Sequence, residues 1–191
     1  MNYPKGIKKT NIANYIHYEN RGMNLEDDIN LTNEYYIQNN IAYIYKKPTP
    51  IQVTKVDYNK KSAIIKEAYF KEPSTTDYNG LYKGKYIDFE AKEPTKKTSF
   101  PLSNIHAHQI KHIRNIVLND GICFLIVRFS YFNKSFLLMG KDFIDYIDNN
   151  SRKSIPFDYF EEKGYDIELA YSPRLDYLKI IDRILGGQNG K

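Results

Sequence analysis

Tyr86-Ile87-Asp88-Phe89-Glu90-Ala91-Lys92 alternates apolar and charged residues as a half-buried β-strand does. Side chains two apart on a strand share a face, so Ile87, Phe89 and Ala91 point one way and Asp88, Glu90 and Lys92 the other. Just upstream, Asp77 lies next to a turn signal and can return to the same place through a hairpin spanning Asp77 to Tyr86. Two carboxylates that converge without a compensating arginine repel each other unless a cation lies between them. Asp77, Glu90 and Lys92 therefore suit metal-assisted phosphodiester cleavage, the acids holding a hard divalent cation and the ammonium stabilising charge or orienting water. Asp88 shares the face of Glu90, and parity alone leaves that choice open.

Outward from this strand, Asn79-Gly80 reads as a turn, and Lys83-Gly84 as a second candidate leading into the strand. Asn24 can cap a helix through about Asn40, with Leu25, Ile29 and Tyr36 near one face. Ile41 to Tyr45 reads as a strand, ended by Lys46-Lys47-Pro48-Thr49-Pro50, because prolines cannot continue a ladder. Ile51 to Phe70 combines short β-like pieces with Lys55, Lys60, Lys61 and Lys66 and closes on Tyr69-Phe70. Its apolar content is low for its length, so it is expected to project from the core. A helix is predicted over Asn104 to Leu118, capped by Ser103 or Asn104. Gly121 to Phe129 is a near-continuous apolar run, as a strand covered on both faces requires. Ser135 to Met139 is expected to pair beside it. Ser172-Pro173 is predicted to open a final helix carrying Leu175, Leu178, Ile181 and Leu185, with Gly186 onward frayed. This order implies an α/β fold, a mixed central β-sheet flanked by helices.

Gln109 falls on the apolar stripe of the predicted helix, between Ile105 and Ile113, and a polar group there needs a partner. It reads either as a satisfied buried amide or as an oxygen ligand facing the carboxylates. His108 and His112 have the i,i+4 spacing of a zinc pair, but no acid or cysteine completes the motif, so phosphate contact or exposure reads better. The lysines between 46 and 71, interleaved with Tyr58, Tyr69 and Phe70, suit a DNA surface on which cations meet phosphates and rings stack on exposed bases. Lysines guarding the edge of a projecting hairpin are the plainer alternative.

The chain of 191 residues carries a net charge of +5, which favours polyanionic partners without naming one. Its single cysteine, Cys123, sits in an apolar strand and reads as a reduced core residue. There is no apolar signal core and no run long enough to span a membrane, so a cytoplasmic protein with no membrane partner is expected. Phosphate-binding glycine loops, dinucleotide fingerprints and Ser/His/Asp arrangements are lacking.

Asn20-Arg21-Gly22-Met23-Asn24-Leu25-Glu26-Asp27-Asp28, Lys47-Pro48-Thr49-Pro50, Thr75-Thr76-Asp77-Tyr78-Asn79-Gly80, the strand from Tyr86 to Lys92, Thr98-Ser99-Phe100-Pro101-Leu102 and His108-Gln109 occur here in order. Together they strongly resemble the RecU family of Holliday junction resolvases, from about Asn20 to the terminal helix. The resemblance implies a restriction-endonuclease-like nuclease fold with a projecting β-stalk, a homodimer, and Mg2+-dependent cleavage of four-way DNA junctions. Carried over residue by residue, Thr75, Asp77, Glu90 and Gln109 form the metal site, Lys92 stabilises the transition state, and Glu90 is preferred to Asp88. The DNA-binding set becomes Arg21, Lys55, Lys60, Lys61, Lys66, Tyr69 and Phe70. The implied organisation is a flexible arm over 1–20, a nuclease domain over 21–185 with the stalk inserted at about 51–70, and a disordered tail over 186–191. Recombinase and branch-migration proteins are expected partners. A non-catalytic DNA-bridging or annealing protein is the alternative, and retention of both acids and Lys92 argues against it.

Overall fold

The computed structural model describes residues 24–59, 62–71 and 75–188. The arm over 1–20, Arg21, Lys60, Lys61 and residues 189–191 lie outside the described residues. The first helix, α1 (Leu25–Gln38), starts where its cap predicts: the Asn24 side chain accepts from Asp27 N–H at 2.8 Å. Three acids in its first turn complement the helix dipole. Strand β1 (Tyr43–Lys46) follows, and the proline-bearing segment after it has no regular structure.

Strands β2 (Ile51–Asn59) and β3 (Ser62–Phe70) pair only with each other, as an antiparallel hairpin. Among its described residues all but the half-buried Val56 are exposed. The ladder is irregular around Lys55, where the register shifts. Strands β4 (Tyr78–Tyr82) and β5 (Lys85–Lys92) then form a second hairpin. Its turn is Lys83-Gly84, both at positive φ (48° and 75°), the backbone that a tight two-residue connection demands. Asn79-Gly80, expected as a turn, lies inside β4. A Cβ on Gly80 would sit 2.1 Å from the Tyr43 carbonyl oxygen, so the glycine is there to let β1 approach β4.

Short β6 (Ser99–Pro101) leads through a tight turn over Leu102–Asn104 into α2 (Ala107–Leu118), then β7 (Ile122–Phe129), β8 (Lys134–Met139), α3 (Gly140–Asn149), β9 (Ser154–Pro156), α4 (Phe157–Lys163), β10 (Tyr165–Asp166) and α5 (Tyr177–Gln188). The main sheet has the order β1-β4-β5-β7-β8-β10, and β6 pairs with β9 apart from it. Only β5 and β7 run parallel within this sheet, so their connection must cross over, and α2 makes that crossing. Helix α2 begins later than expected because Leu102–Asn104 closes its own turn on Ile105 N–H. Helix α5 also begins late, at Tyr177: Leu175 bridges Leu169 instead, and Asp176 accepts from Lys179 N–H at 3.4 Å. It continues to Gln188, past the expected fraying point at Gly186.

Every residue of β7 is buried, which puts core on both sides of the sheet. Phe124 and Ile126 pack with α1 and α5 around Ile29, Tyr36, Tyr177 and Ile181. Cys123, Leu125 and Val127 pack the other way, with Ile113, Phe143 and Phe160. Across the first face Tyr78, Phe89 and Phe124 stand opposite one another on adjacent strands, with ring centroids 4.8 and 4.7 Å apart and planes within 10°. This stack fixes the register of β4, β5 and β7 together. On α1, buried Asp28 forms an ion pair with Arg128 of β7 at 2.6 Å and accepts from Arg174 Nε–H at 2.9 Å.

Candidate active site

The register of β5 against β7 decides where its charges go. Ile87 and Phe89 enter the α1–α5 core, so Asp88 and Glu90 face the side covered by α2. Both carboxylates are fully buried. Carboxylates in that position must be bonded or neutralised, because desolvation there is costly.

Glu90 meets Asp77, just before β4, and Lys92 at the end of its own strand. The Asp77 N–H donates to Glu90 Oε2 at 3.1 Å, and the Asp77 carboxylate accepts from Ala91 N–H at 3.3 Å. The Lys92 ammonium forms a close ion pair with Glu90 Oε1 and lies 3.5 Å from Asp77 Oδ2. Burial, with the Asp77 charge beside it, pushes the Glu90 carboxyl up to about 7. Burial works against the Lys92 charge, but Glu90 and then Asp77 outweigh it and raise its pKa, so it remains an ammonium. Asp77 is 34% exposed and opens onto a cavity of about 220 Å³ shared with Glu26 and Glu93. Solvent therefore reaches Asp77, while Glu90 stays covered. A larger groove of about 440 Å³ lies beside α5 and includes none of these residues.

The Glu90 shift has a sign that can be measured. Between about 4.5, the ordinary value, and about 7 the folded chain holds more protons than the unfolded chain. Protein free of divalent cations should therefore lose stability as pH rises through that window. Glu90→Gln should flatten the slope in urea denaturation followed from pH 4 to 8. Equal slopes for both proteins would show that Glu90 ionises as an exposed acid does.

Asp88 belongs to a separate cluster. Its Oδ2 accepts from Lys47 at 2.7 Å and from the Tyr86 hydroxyl at 2.8 Å. Its Oδ1 accepts from the Thr76 hydroxyl and lies 3.1 Å from His112 Nε2. Burial pushes this carboxyl up, but the bonds from Lys47, Thr76 and Tyr86 prevail and hold it below the usual range. Asp88 is thus a saturated anchor, whereas Glu90 Oε1 is buried with no hydrogen bond and only the lysine charge beside it. The two buried acids therefore differ in their partners.

Gln109 is buried on α2, with its oxygen accepting from His106 N–H at 2.9 Å and its nitrogen donating to the Thr75 carbonyl at 3.3 Å. The amide is satisfied, as the first sequence reading expected, and its nitrogen rather than its oxygen reaches the segment that bears Asp77. Thr75 is half-buried and its hydroxyl accepts from Lys47 at 3.0 Å. His112 faces Asp88, and His106 stacks on His108 with centroids 5.5 Å apart. Cys123 is buried in β7, where desolvation pushes its thiol up.

Sequence reasoning missed Lys47, Thr76 and His112 as members of one cluster. Lys47 was visible as part of a strand-breaking segment, of a family motif and of the lysines between 46 and 71 read as a DNA surface, but no local spacing links it to residues so distant in sequence. The DNA-contact candidates are on the hairpin: Lys55 and Lys66 are exposed, Lys66 lying 3.7 Å from Asp57, while Tyr69 and Phe70 are 65% and 82% exposed. The hairpin begins directly after the Lys47 segment and ends just before Thr75, so both its roots adjoin the acid cluster.

The family described as Recombination protein U, RecU, matches residues 20–183, which include all of these groups but the tail. The chain belongs to the RecU family. The RecU member of Geobacillus kaustophilus, named Holliday junction resolvase RecU, is 54% identical over 171 residues, covering 87% of this chain and 86% of its own length. The RecU proteins of the same name from Pediococcus pentosaceus and Streptococcus thermophilus are 51% and 49% identical. Each covers at least 97% of this chain and 98% of itself.

Proposed function

We propose that this chain is a Mg2+-dependent endonuclease that resolves four-way DNA junctions by paired symmetric nicks in homologous recombination and DNA repair. The observation that carries the reading is a fully buried Glu90 held against Asp77 and Lys92, in a chain whose close relatives are named Holliday junction resolvases. The donor set fits a hard cation. Glu90 Oε1 lacks a hydrogen bond, Asp77 is reachable from solvent, and the neighbouring groups Thr75 and Gln109 offer oxygen alone. Among the described residues no cluster of three His, Cys, Asp or Glu side chains is arranged for a metal. Two carboxylates with water completing the shell are what Mg2+ accepts and what Zn2+ sites rarely use. For Gln109 to join them, its amide must turn from His106.

When bound, the cation supplies positive charge to the scissile phosphate and acidifies water. The chain's own residues do the rest. Asp77 and Glu90 hold the cation, and Lys92, poised between them, neutralises charge that develops on the phosphorane. One preorganised group of this kind contributes about 10²–10³ in rate. The fold that goes with this reading is restriction-endonuclease-like, with the β2–β3 hairpin as a stalk that enters the open centre of a junction. Lys55 and Lys66 would meet phosphates there, while Tyr69 and Phe70 stack on unpaired bases; Arg21, Lys60 and Lys61 complete the set. A two-fold homodimer would place two such sites on opposing strands. Chromosomal DNA as substrate puts the protein in the cytoplasm, with recombinase and branch-migration proteins as its partners. Among the described residues no helix is long and apolar enough to cross a membrane.

The test is cleavage of a mobile four-way junction against linear duplex of the same arms, with Mg2+ and with chelator. Paired nicks at symmetric positions, confined to the junction and lost with chelator, are expected. Tight binding with no cutting under any divalent cation would replace this reading with that of a bridging or annealing protein.

A further inference from the structure

The Lys47 ammonium is unusually well engaged for a lysine in an irregular segment. It lies 2.7 Å from Asp88 Oδ2, 2.9 Å from the Thr76 hydroxyl and 3.0 Å from the Thr75 hydroxyl. An ammonium has three hydrogens and can donate no more. All three acceptors are protein oxygens, so nothing remains with which to grip a phosphate. The Lys47 backbone N–H meanwhile donates to the Asp77 carbonyl at 2.8 Å. A single residue thus touches each member of Thr75-Thr76-Asp77, a stretch that lies outside any strand. The Asp88 carboxylate cancels the ammonium charge, so a cation at Asp77 and Glu90 faces a neutral pair rather than a second positive charge.

We propose that Lys47, anchored on Asp88, is a positioning residue that locks Thr75-Thr76-Asp77 against β5 and so preorganises the oxygens that take the divalent cation. This rests on the metal reading above. Ligands supported in this way bind tighter because less ordering remains to be done on binding, and losing an outer partner typically costs 10–100-fold in metal affinity.

The experiment is Mn2+ titration calorimetry on the DNA-free full chain for wild type, Glu90→Gln, Lys47→Met and Asp88→Asn. Melting by circular dichroism and junction binding in chelator accompany it. Lys47→Met keeps the aliphatic stem and removes the donors. Mn2+ affinity should fall by about 10–100-fold in Lys47→Met, and Asp88→Asn should reproduce the loss. The double variant should be no worse than either, as members of one unit behave. Junction affinity in chelator should stay within about twofold of wild type, as expected of a residue with no donor left for phosphate. A lowered melting temperature with unchanged Mn2+ affinity would reduce Lys47 to a structural strut and overturn the proposal. Weakened junction binding in chelator with intact Mn2+ affinity would make it a phosphate contact, which also overturns it. If Lys47→Met does not fold, Asp88→Asn decides by the same criterion. If wild type takes up no Mn2+, the metal reading itself fails and the proposal falls with it. Uptake by wild type that Glu90→Gln abolishes places the cation at the acid pair, so that unchanged affinity in Lys47→Met then counts against Lys47 alone.

Discussion

Glu90→Gln should lower junction cleavage by at least about 10²–10³-fold while junction affinity in chelator stays near wild type. The amide fills the same buried space and can still accept from Asp77 N–H. What it loses is the charge that Lys92 and a divalent cation both require. Because Glu90 is inaccessible, DNA does not touch it directly, and binding and cutting should separate cleanly. A junction-cleavage time course with saturating enzyme checks this. A rate within tenfold of wild type would move the catalytic acid elsewhere and leave Asp88, the other buried carboxylate of the strand, to be tested next.

Asp28→Ala should be the most damaging single change to stability, at about 3–5 kcal/mol by urea denaturation. The Asp28 carboxylate joins α1 to Arg128 on β7 and to Arg174 in the segment before α5, and it is 1% exposed. The same turn of α1 carries Thr32, whose hydroxyl donates to the Asp28 carbonyl and accepts from Leu175 N–H, each at 2.8 Å. Truncation leaves guanidinium charge facing the core without its carboxylate, a penalty larger than the net worth of the pair. Asp28→Asn, which keeps the shape and one acceptor, should fall between wild type and Asp28→Ala. A loss below about 1 kcal/mol for Asp28→Ala would show that water reaches the pair and screens it.

How much of this was legible depended on how locally it was encoded. The alternation of β5 correctly sorts its residues onto two faces, but the strand is not half-buried as expected. Asp88 and Glu90 are as covered as Ile87 and Phe89, because other parts of the chain pack over the charged face. Asn24 as a cap and β7 as a doubly covered strand were equally plain, since each is a property of one short stretch. Asn79-Gly80 misled because the pair serves two needs: glycine permits a turn, but it also permits the close passage of a neighbouring backbone. Ser172-Pro173 misled in the same way, since its neighbour Leu175 is claimed by a bridge that no local rule anticipates. The Lys47–Thr76–Asp88–His112 cluster was out of reach for a different reason. It joins the β1–β2 connection, the approach to β4, β5 and α2, and only the tertiary fold brings these together. Gln109 lies between these cases: its misfit on an apolar stripe was visible, but its partner was not.

Phe89, the middle ring of the stack with Tyr78 and Phe124, alternates along β5 with the two acids, and this bears on quality control. Slippage of β5 by one residue would turn Asp88 and Glu90 into the α1–α5 core and expel Phe89 toward α2. Core and chemistry are thus read from opposite sides of one ribbon, and an error in either spoils both. A misassembled copy would have no partly formed cutting centre to bring to the chromosome. Under the proposed function, with DNA as the substrate, a failed fold is then an inert one.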